Sequence, residues 1–244
     1  MSNVWFTSDT HFGHGNIIKY CHRPFLGQRD REALEANGGS WHDGIWKGST
    51  SPRWRMSYEA VSMMNEAMFS AINANVGTDD TLWHLGDFCF APKNEYYKRA
   101  LEYRTRINCK NVNLVWGNHD HRSIKDLFSS TYDLANINVD KQNIVACHYA
   151  MAVWNRSHRG SWHLYGHSHG TAESWLDKAI SGRKSIDVGV DHAYKLFGEF
   201  RPFSMDDLRK IMNKRGGNRI FDDNPTEEEI QELQRQEEHQ SRRR

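Results

Sequence analysis

Short apolar runs recur along this chain, and five of them stop at a polar side chain able to bind a metal ion. Val112 to Trp116 reads as a buried strand; Gly117 breaks it, and Asn118-His119-Asp120 follow at once. Val4-Trp5-Phe6-Thr7-Ser8 ends in Asp9-Thr10-His11. The run from Thr81 to Leu85 ends in Gly86-Asp87, that from Ile144 to Cys147 in His148, and that from Trp162 to Tyr165 in Gly166-His167-Ser168-His169. Strands that end in this way deliver their polar groups to the carboxyl edge of a sheet, where α/β sites lie.

Elsewhere the spacing becomes helical. Val61, Met64, Met68 and Ile72 predict a helix over 57–75 with one stripe toward a sheet. Pro92 opens a second helix over 93–107, with Tyr97 and Leu101 expected inward, and a short helix is expected over 123–130. Lys184 to Asp191 alternates and ends in a carboxylate, which predicts a late strand of a second sheet. Two readings stand for Asp187 and Asp191, a surface carboxylate or a group that orients a ligand histidine. Ser204, with Asp207 three residues on, predicts a capped helix with Met205, Leu208, Ile211 and Met212 on its apolar face.

Two stretches break the pattern. Residues 26–56 carry glycine punctuation and three tryptophans, Trp41, Trp46 and Trp54, among His42, Lys47, Arg53 and Arg55. Two readings stay open for this insertion: a binding loop whose tryptophans stack a base, or a small tryptophan core that packs the loop or a second copy. From Gly216 the chain turns polar; Thr226 with Glu229 can cap a last helix anchored by Ile230 and Leu233. The expected organisation is one domain over 1–215, with a polar tail over 216–244 that holds at most a peripheral helix.

Composition narrows the class. The 244 residues suit one domain with additions, and a net charge of +1 gives no global pull toward nucleic acid or membrane. No apolar run approaches the ~20 residues of a membrane span, and Met1-Ser2-Asn3-Val4 enters a strand with no basic-then-apolar leader. A cytoplasmic protein is expected. Cys21, Cys89, Cys109 and Cys147 lack CxxC spacing and read as reduced thiols.

The donors at the strand ends are carboxylate, imidazole and amide, a set that suits Mn, Fe, Zn or Ni rather than a soft thiolate site. The ordered blocks Asp9-Thr10-His11, Gly86-Asp87, Gly117-Asn118-His119-Asp120, His148 and Gly166-His167-Ser168-His169 resemble the signature of the calcineurin-like metallophosphoesterases. The opening Ser8 to His14, with Asn16-Ile17-Ile18 and Arg23-Pro24-Phe25, is similar to a small bacterial and phage branch of that family.

The resemblance implies an α/β sandwich of two mixed β-sheets flanked by helices, with a centre of two divalent metal ions, Mn²⁺ first among Mn²⁺, Ni²⁺, Fe²⁺ and Zn²⁺. It assigns Asp9, His11 and His169 to one ion, Asn118, His148 and His167 to the other, and Asp87 to both. His119 would stabilise the phosphoryl oxygens or protonate the leaving oxygen, with Asp120 fixing its tautomer. His14, Asn16, Arg23, Trp54, Arg156 and His158 are candidate substrate contacts. The expected activity is hydrolysis of a nucleotide-type or cyclic phosphodiester through a metal-bridging hydroxide. A nuclease stands beside it, on the basic run Lys93, Lys98, Arg99, Arg104, Arg106 and Lys110. So do a phosphomonoesterase or phosphoprotein phosphatase and a non-catalytic, metal-stiffened binding module. The expected partner is a phosphoester, with nucleic acid and a second copy of the chain as further possibilities.

Overall fold

A computed structural model describes residues 2–42, 45–48 and 54–216, together with 231 and 235. The expected tail helix over 226–233 therefore lies almost wholly outside the described residues. In chain order the elements are β1 (Val4–Thr7), α1 (Gly15–Tyr20), α2 (Gln28–Ala36), β2 (Ser40–His42), β3 (Ile45–Lys47), α3 (Tyr58–Asn75), β4 (Thr81–His84), α4 (Tyr96–Thr105) and β5 (Asn111–Val115). A 3-10 turn over Arg122–Leu127 leads to β6 (Ser130–Tyr132), β7 (Leu134–Val139), β8 (Gln142–Cys147) and β9 (Trp162–Tyr165). Then follow α5 (Glu173–Ala179), β10 (Ser185–Asp187), α6 (Val190–Phe197), β11 (Phe203–Ser204) and α7 (Met205–Asn213).

These strands form two mixed sheets. One has the order β11-β1-β4-β5-β6, with β1, β4, β5 and β6 parallel and β11 antiparallel at the edge. The other has the order β10-β9-β8-β7, parallel except for the hairpin of β7 with β8. Both faces of the first sheet are covered, as parallel strands require. Leu82, Val112 and Leu114 pack with Met64, Met68 and Ile72 of α3. On the opposite face Phe6 and Val115 meet Ala146, Leu164 and Ile186 of the second sheet, together with Leu208 and Met212 of α7. Ser204 caps α7 through a reciprocal bond with Asp207, as its spacing predicts.

Three expectations about elements need correction. Helix α4 begins at Tyr96 rather than beside Pro92. It buries Tyr96 and Ala100 and leaves Tyr97 and Leu101 each 40% exposed, so the inward face is one residue out of phase with the prediction. The large side chains at 97 and 101 drew the stripe toward themselves, whereas the contact uses a small alanine. The strand expected over 184–191 stops at Asp187, and α6 starts at Val190.

The described part of the insertion packs on the core, while 43–44 and 49–53, with Arg53, lie outside the described residues. Helix α2 precedes a two-stranded hairpin in which Trp41 pairs with Trp46. Trp46 is 4% exposed and belongs to the first core with Leu34; its indole donates to the Arg23 carbonyl at 3.1 Å. Trp41 and Trp54 are partly buried against the same core. Among the described residues, no helix is long and apolar enough to cross a membrane. Because Trp46 fills core volume, Trp46→Ala is expected to destabilise the protein by about 3–5 kcal/mol in denaturant unfolding.

Candidate metal centre

The two sheets meet so that their strand ends converge. β1, β4 and β5 deliver Asp9, Asp87 and Asn118 from one sheet; β8 and β9 deliver His148 and His167 from the other. At these ends the backbone turns sharply. Asp9, His11, Asp87, His167 and His169 all sit at positive φ, between 48° and 66°. Left-handed backbone is costly for residues other than glycine and collects at functional sites, where the surroundings enforce it. Here the enforcement is visible. Asp9 N–H donates to the Gly86 carbonyl, and His11 N–H to the Asp87 carbonyl, each at 3.0 Å. The first loop is thereby zipped to the second. At Gly117, any Cβ would collide with the backbone N and carboxylate of Asp87, so only glycine allows this approach.

Among the described residues three groups of potential ligands result, one of Cys21, His169 and Asp191 and the two that follow. Asp9, His11 and His169 each offer a ligand atom, all within 4.8 Å of one another, and so do Asp87, His148 and His167. Asp87 lies between the sets: one oxygen is 3.5 Å from His11 Nε2 and 3.4 Å from His148 Nε2. Asn118 Oδ1 is 3.2 Å from His148 Nε2. His148 Nδ1–H donates to the Leu85 carbonyl at 2.7 Å, and His169 Nδ1–H to Asp191 at 2.7 Å. Each bond fixes a tautomer that leaves Nε2 as the ligand atom.

The electrostatics call for a cation. His11 Nε2 is buried, has no hydrogen-bond partner and faces carboxylates. Burial pushes Asp9 up to about 7, against the pull of His169 and His148. Burial also opposes ionisation of Asp87, yet His148 and His11 hold its carboxyl far below the usual range. The histidines collect charge in return. Burial alone would lower His148, but Asp87 and Asp9 outweigh it and push its pKa up to about 9. Asp191, Cys21 and Asp9 likewise overcome burial at His169 and raise it to about 11. Protons on His148 and His169 thus hold the charge that divalent ions would bring. An orphaned nitrogen, converging carboxylates and a mixed oxygen and nitrogen donor set all fit divalent metal ions.

The sequence model of the calcineurin-like phosphoesterases matches residues 2–234. The chain belongs to this family. An uncharacterised protein of Methanocaldococcus jannaschii is 26% identical over 214 residues, which is 88% of this chain and 93% of that one. A solved protein of unknown function from Aquifex aeolicus superposes with a TM-score of 0.54 at 21% identity, over 86% of this chain and all of the other. An archaeal phosphodiesterase aligns at 14% identity with a TM-score of 0.36, over 83% of this chain and 99% of its own.

The remaining sequence candidates divide. A cavity of about 770 Å³ opens over the donors and is lined by His14, Asn16 and His119 as well as by His11, Asp87, His167 and His169. His14 stacks on Phe90 at 4.1 Å and contacts His11 through Nδ1 at 3.4 Å; burial lowers its pKa to about 4, so it is neutral at neutral pH. Arg23, expected at substrate, is instead fully buried. It holds both oxygens of Asp191 at 2.8 Å and donates to the carbonyls of Asp9 and Thr10. Trp54 packs on the core, and its carbonyl accepts from Lys19 at 2.7 Å. Arg156 lines a separate cavity with Asn136 and Asn138, and His158 accepts from Arg159, so neither lines the metal-site cavity.

Asp120 also departs from its expected part. Its carboxylate accepts the backbone N–H groups of Asp87, Phe88 and Gly117 at 2.8–2.9 Å. It therefore orders the loops that carry Asp87 and Asn118, and no bond joins it to the His119 ring. Tyr96 was missed altogether: its hydroxyl donates to the His119 carbonyl at 3.0 Å, and a tyrosine in a helix carries no local signal of that.

Two outcomes are expected. Ions bound by His148 and His169 would displace their protons, so binding should release protons, and affinity should rise with pH up to about 9 and, through His169, on toward about 11. Titration calorimetry in buffers of different ionisation enthalpy measures this directly. Asp120→Asn places an amide among three N–H donors and should weaken metal binding by about 10–100-fold while the fold persists by circular dichroism.

Proposed function

We propose that this chain is a phosphodiesterase that works with two divalent metal ions, Mn²⁺ first, on a small nucleotide-type diester. The observation that carries the reading is the shared carboxylate. One Asp87 oxygen faces His11 on one side and His148 on the other at nearly equal distance, with a complete donor set beyond each. Asp9, His11 and His169 would hold one ion, and Asn118, His148 and His167 the other, with Asp87 common to both. Two ions held there would supply charge for the phosphoryl oxygens and a strong nucleophile at neutral pH.

The chain's own residues would do the rest. His119 lines the cavity, its ring 5.5 Å from that of His11, and its backbone N–H donates to Asp87 at 2.9 Å. It would give a proton to the leaving oxygen. His14, neutral and braced by Phe90, would accept or donate a hydrogen bond at the phosphoryl group without adding charge. Asp120 and Tyr96 would hold the His119 loop in place through its backbone.

A polynucleotide substrate is disfavoured by the state of the basic run. Arg99 is paired with Glu95 and Glu102, Arg106 with Glu66, and Lys110 with Asp79. Arg104 is spent on backbone carbonyls. Few of these cations are left to release counterions from a phosphate backbone. The four free cysteines suit a reducing compartment, and we place the protein in the cytoplasm. We take residues 1–215 as the catalytic domain, with the tail peripheral to it.

Hydrolysis of bis-p-nitrophenyl phosphate and p-nitrophenyl phosphate with added Mn²⁺ or Ni²⁺ tests the reading. Wild type should turn over the diester in preference. His119→Ala should lose about 10²–10⁴-fold in kcat and still bind both ions by calorimetry. Monoester turnover alone would make the protein a phosphatase. Full diester turnover in His119→Ala would remove that residue from the chemistry.

A further inference from the structure

A second cavity, of about 270 Å³, adjoins the metal site and shares the ligand candidate His169 with it. It shares Tyr20, Cys21, His169 and Thr171 with the larger cavity, so the two are continuous across the His169 side. The charged groups on its floor are already satisfied. Arg23 and Asp191 bind each other, and Asp191 takes the His169 N–H. Lys195, at the rim, donates to the His169 carbonyl at 3.1 Å. The floor therefore does not demand an anion.

Beside the polar His22, Thr171 and Lys195, its exposed lining carries two tyrosine rings. Tyr20 is 70% exposed and Tyr194 is 38% exposed, although apolar rings gain by burial. Tyr194 is held rather than loose: it stacks on buried Phe200, ring centres 4.5 Å apart and planes within 10°, and Phe200 packs on Phe25 at 5.2 Å. A ring fixed before binding loses little freedom when a ligand lies on it. Flat apolar faces with a polar rim, in a space too small for a duplex, suit a planar heteroaromatic group joined to the phosphate.

We propose that this cavity is a nucleobase subsite, in which a nucleoside on one side of the scissile phosphate rests its base against the Tyr20 and Tyr194 rings. The assignment rests on the phosphodiesterase reading and adds the identity of the group beyond the phosphate. It also gives the substrate a direction, since the base lies on the His169 side and the other ester substituent points away toward His148.

The test compares two esters that release the same chromophore, thymidine 5′-(p-nitrophenyl phosphate) and bis-p-nitrophenyl phosphate, with Mn²⁺ on the full chain. Tyr194→Ala and Tyr20→Ala, both exposed and so compatible with folding, should lower kcat/KM for the nucleoside ester about tenfold more than for the simple diester, mainly through KM. Tyr194→Phe should retain wild-type selectivity. Equal losses on both esters, or none, would overturn the subsite while leaving the phosphodiesterase reading standing. If wild type hydrolyses neither ester, that reading fails separately, and thymidine monophosphate binding to the Mn²⁺-loaded protein decides the subsite. Binding weakened about tenfold by Tyr194→Ala supports it, and binding that is absent or indifferent to the variant overturns it.

Discussion

The buried pair of Arg23 and Asp191 is the interaction on which the rest of the site depends. The guanidinium holds both oxygens of Asp191 from α6 and reaches the carbonyls of Asp9 and Thr10 after β1. Asp191 in turn fixes His169 after β9. One cation thus sets the mutual positions of two donors that come from different sheets. A pair this deeply buried is costly to desolvate, and loss of one partner costs about 3–5 kcal/mol because the other charge is left uncompensated. Such a pair is better understood as a device for position than as a source of stability.

Much of the site was legible because its signals are local. A glycine before Asp87, Asn118 or His167 and an apolar run before each glycine can be read in a window of a few residues. The two mixed sheets were implied by the family resemblance that these blocks carry, and the strands form them. Of the supporting groups, Asp191 was one of two carboxylates the sequence offered to orient a ligand histidine, and it bonds His169; others were not legible in that way. Arg23, read as a substrate contact, and Asp120, read as the partner of the His119 ring, have roles set by groups distant in sequence or by backbone N–H donors. Side-chain type cannot show that a carboxylate is spent on three amides. The phase of α4 was hidden for a related reason. The buried position at Ala100 carries little apolar signal, while exposed Tyr97 and Leu101 carry much.

The tryptophan-rich insertion shows how composition misleads when volume is ignored. Tryptophan among arginines suggests stacking on a ligand, yet Trp46 fills a gap beneath α2 and bonds to the Arg23 carbonyl. The hairpin therefore braces the segment that carries Arg23. The aromatic rings that do border the metal-site cavity, Tyr20 and Phe90, are isolated in the sequence and were passed over.

Left-handed backbone at five of the donor positions has a consequence for how the molecule comes to be made. None of those turns is favourable in an isolated segment, and each is held by a neighbour from another part of the chain. Asp9 needs the Gly86 carbonyl, and His169 needs Asp191. During synthesis the first donor emerges near the start, while Asp191, the support of the last donor, follows some 180 residues later. An ion held jointly by these donors would therefore wait for contacts that span the chain from Asp9 to Asp191. That joint capacity arrives with the last of those contacts.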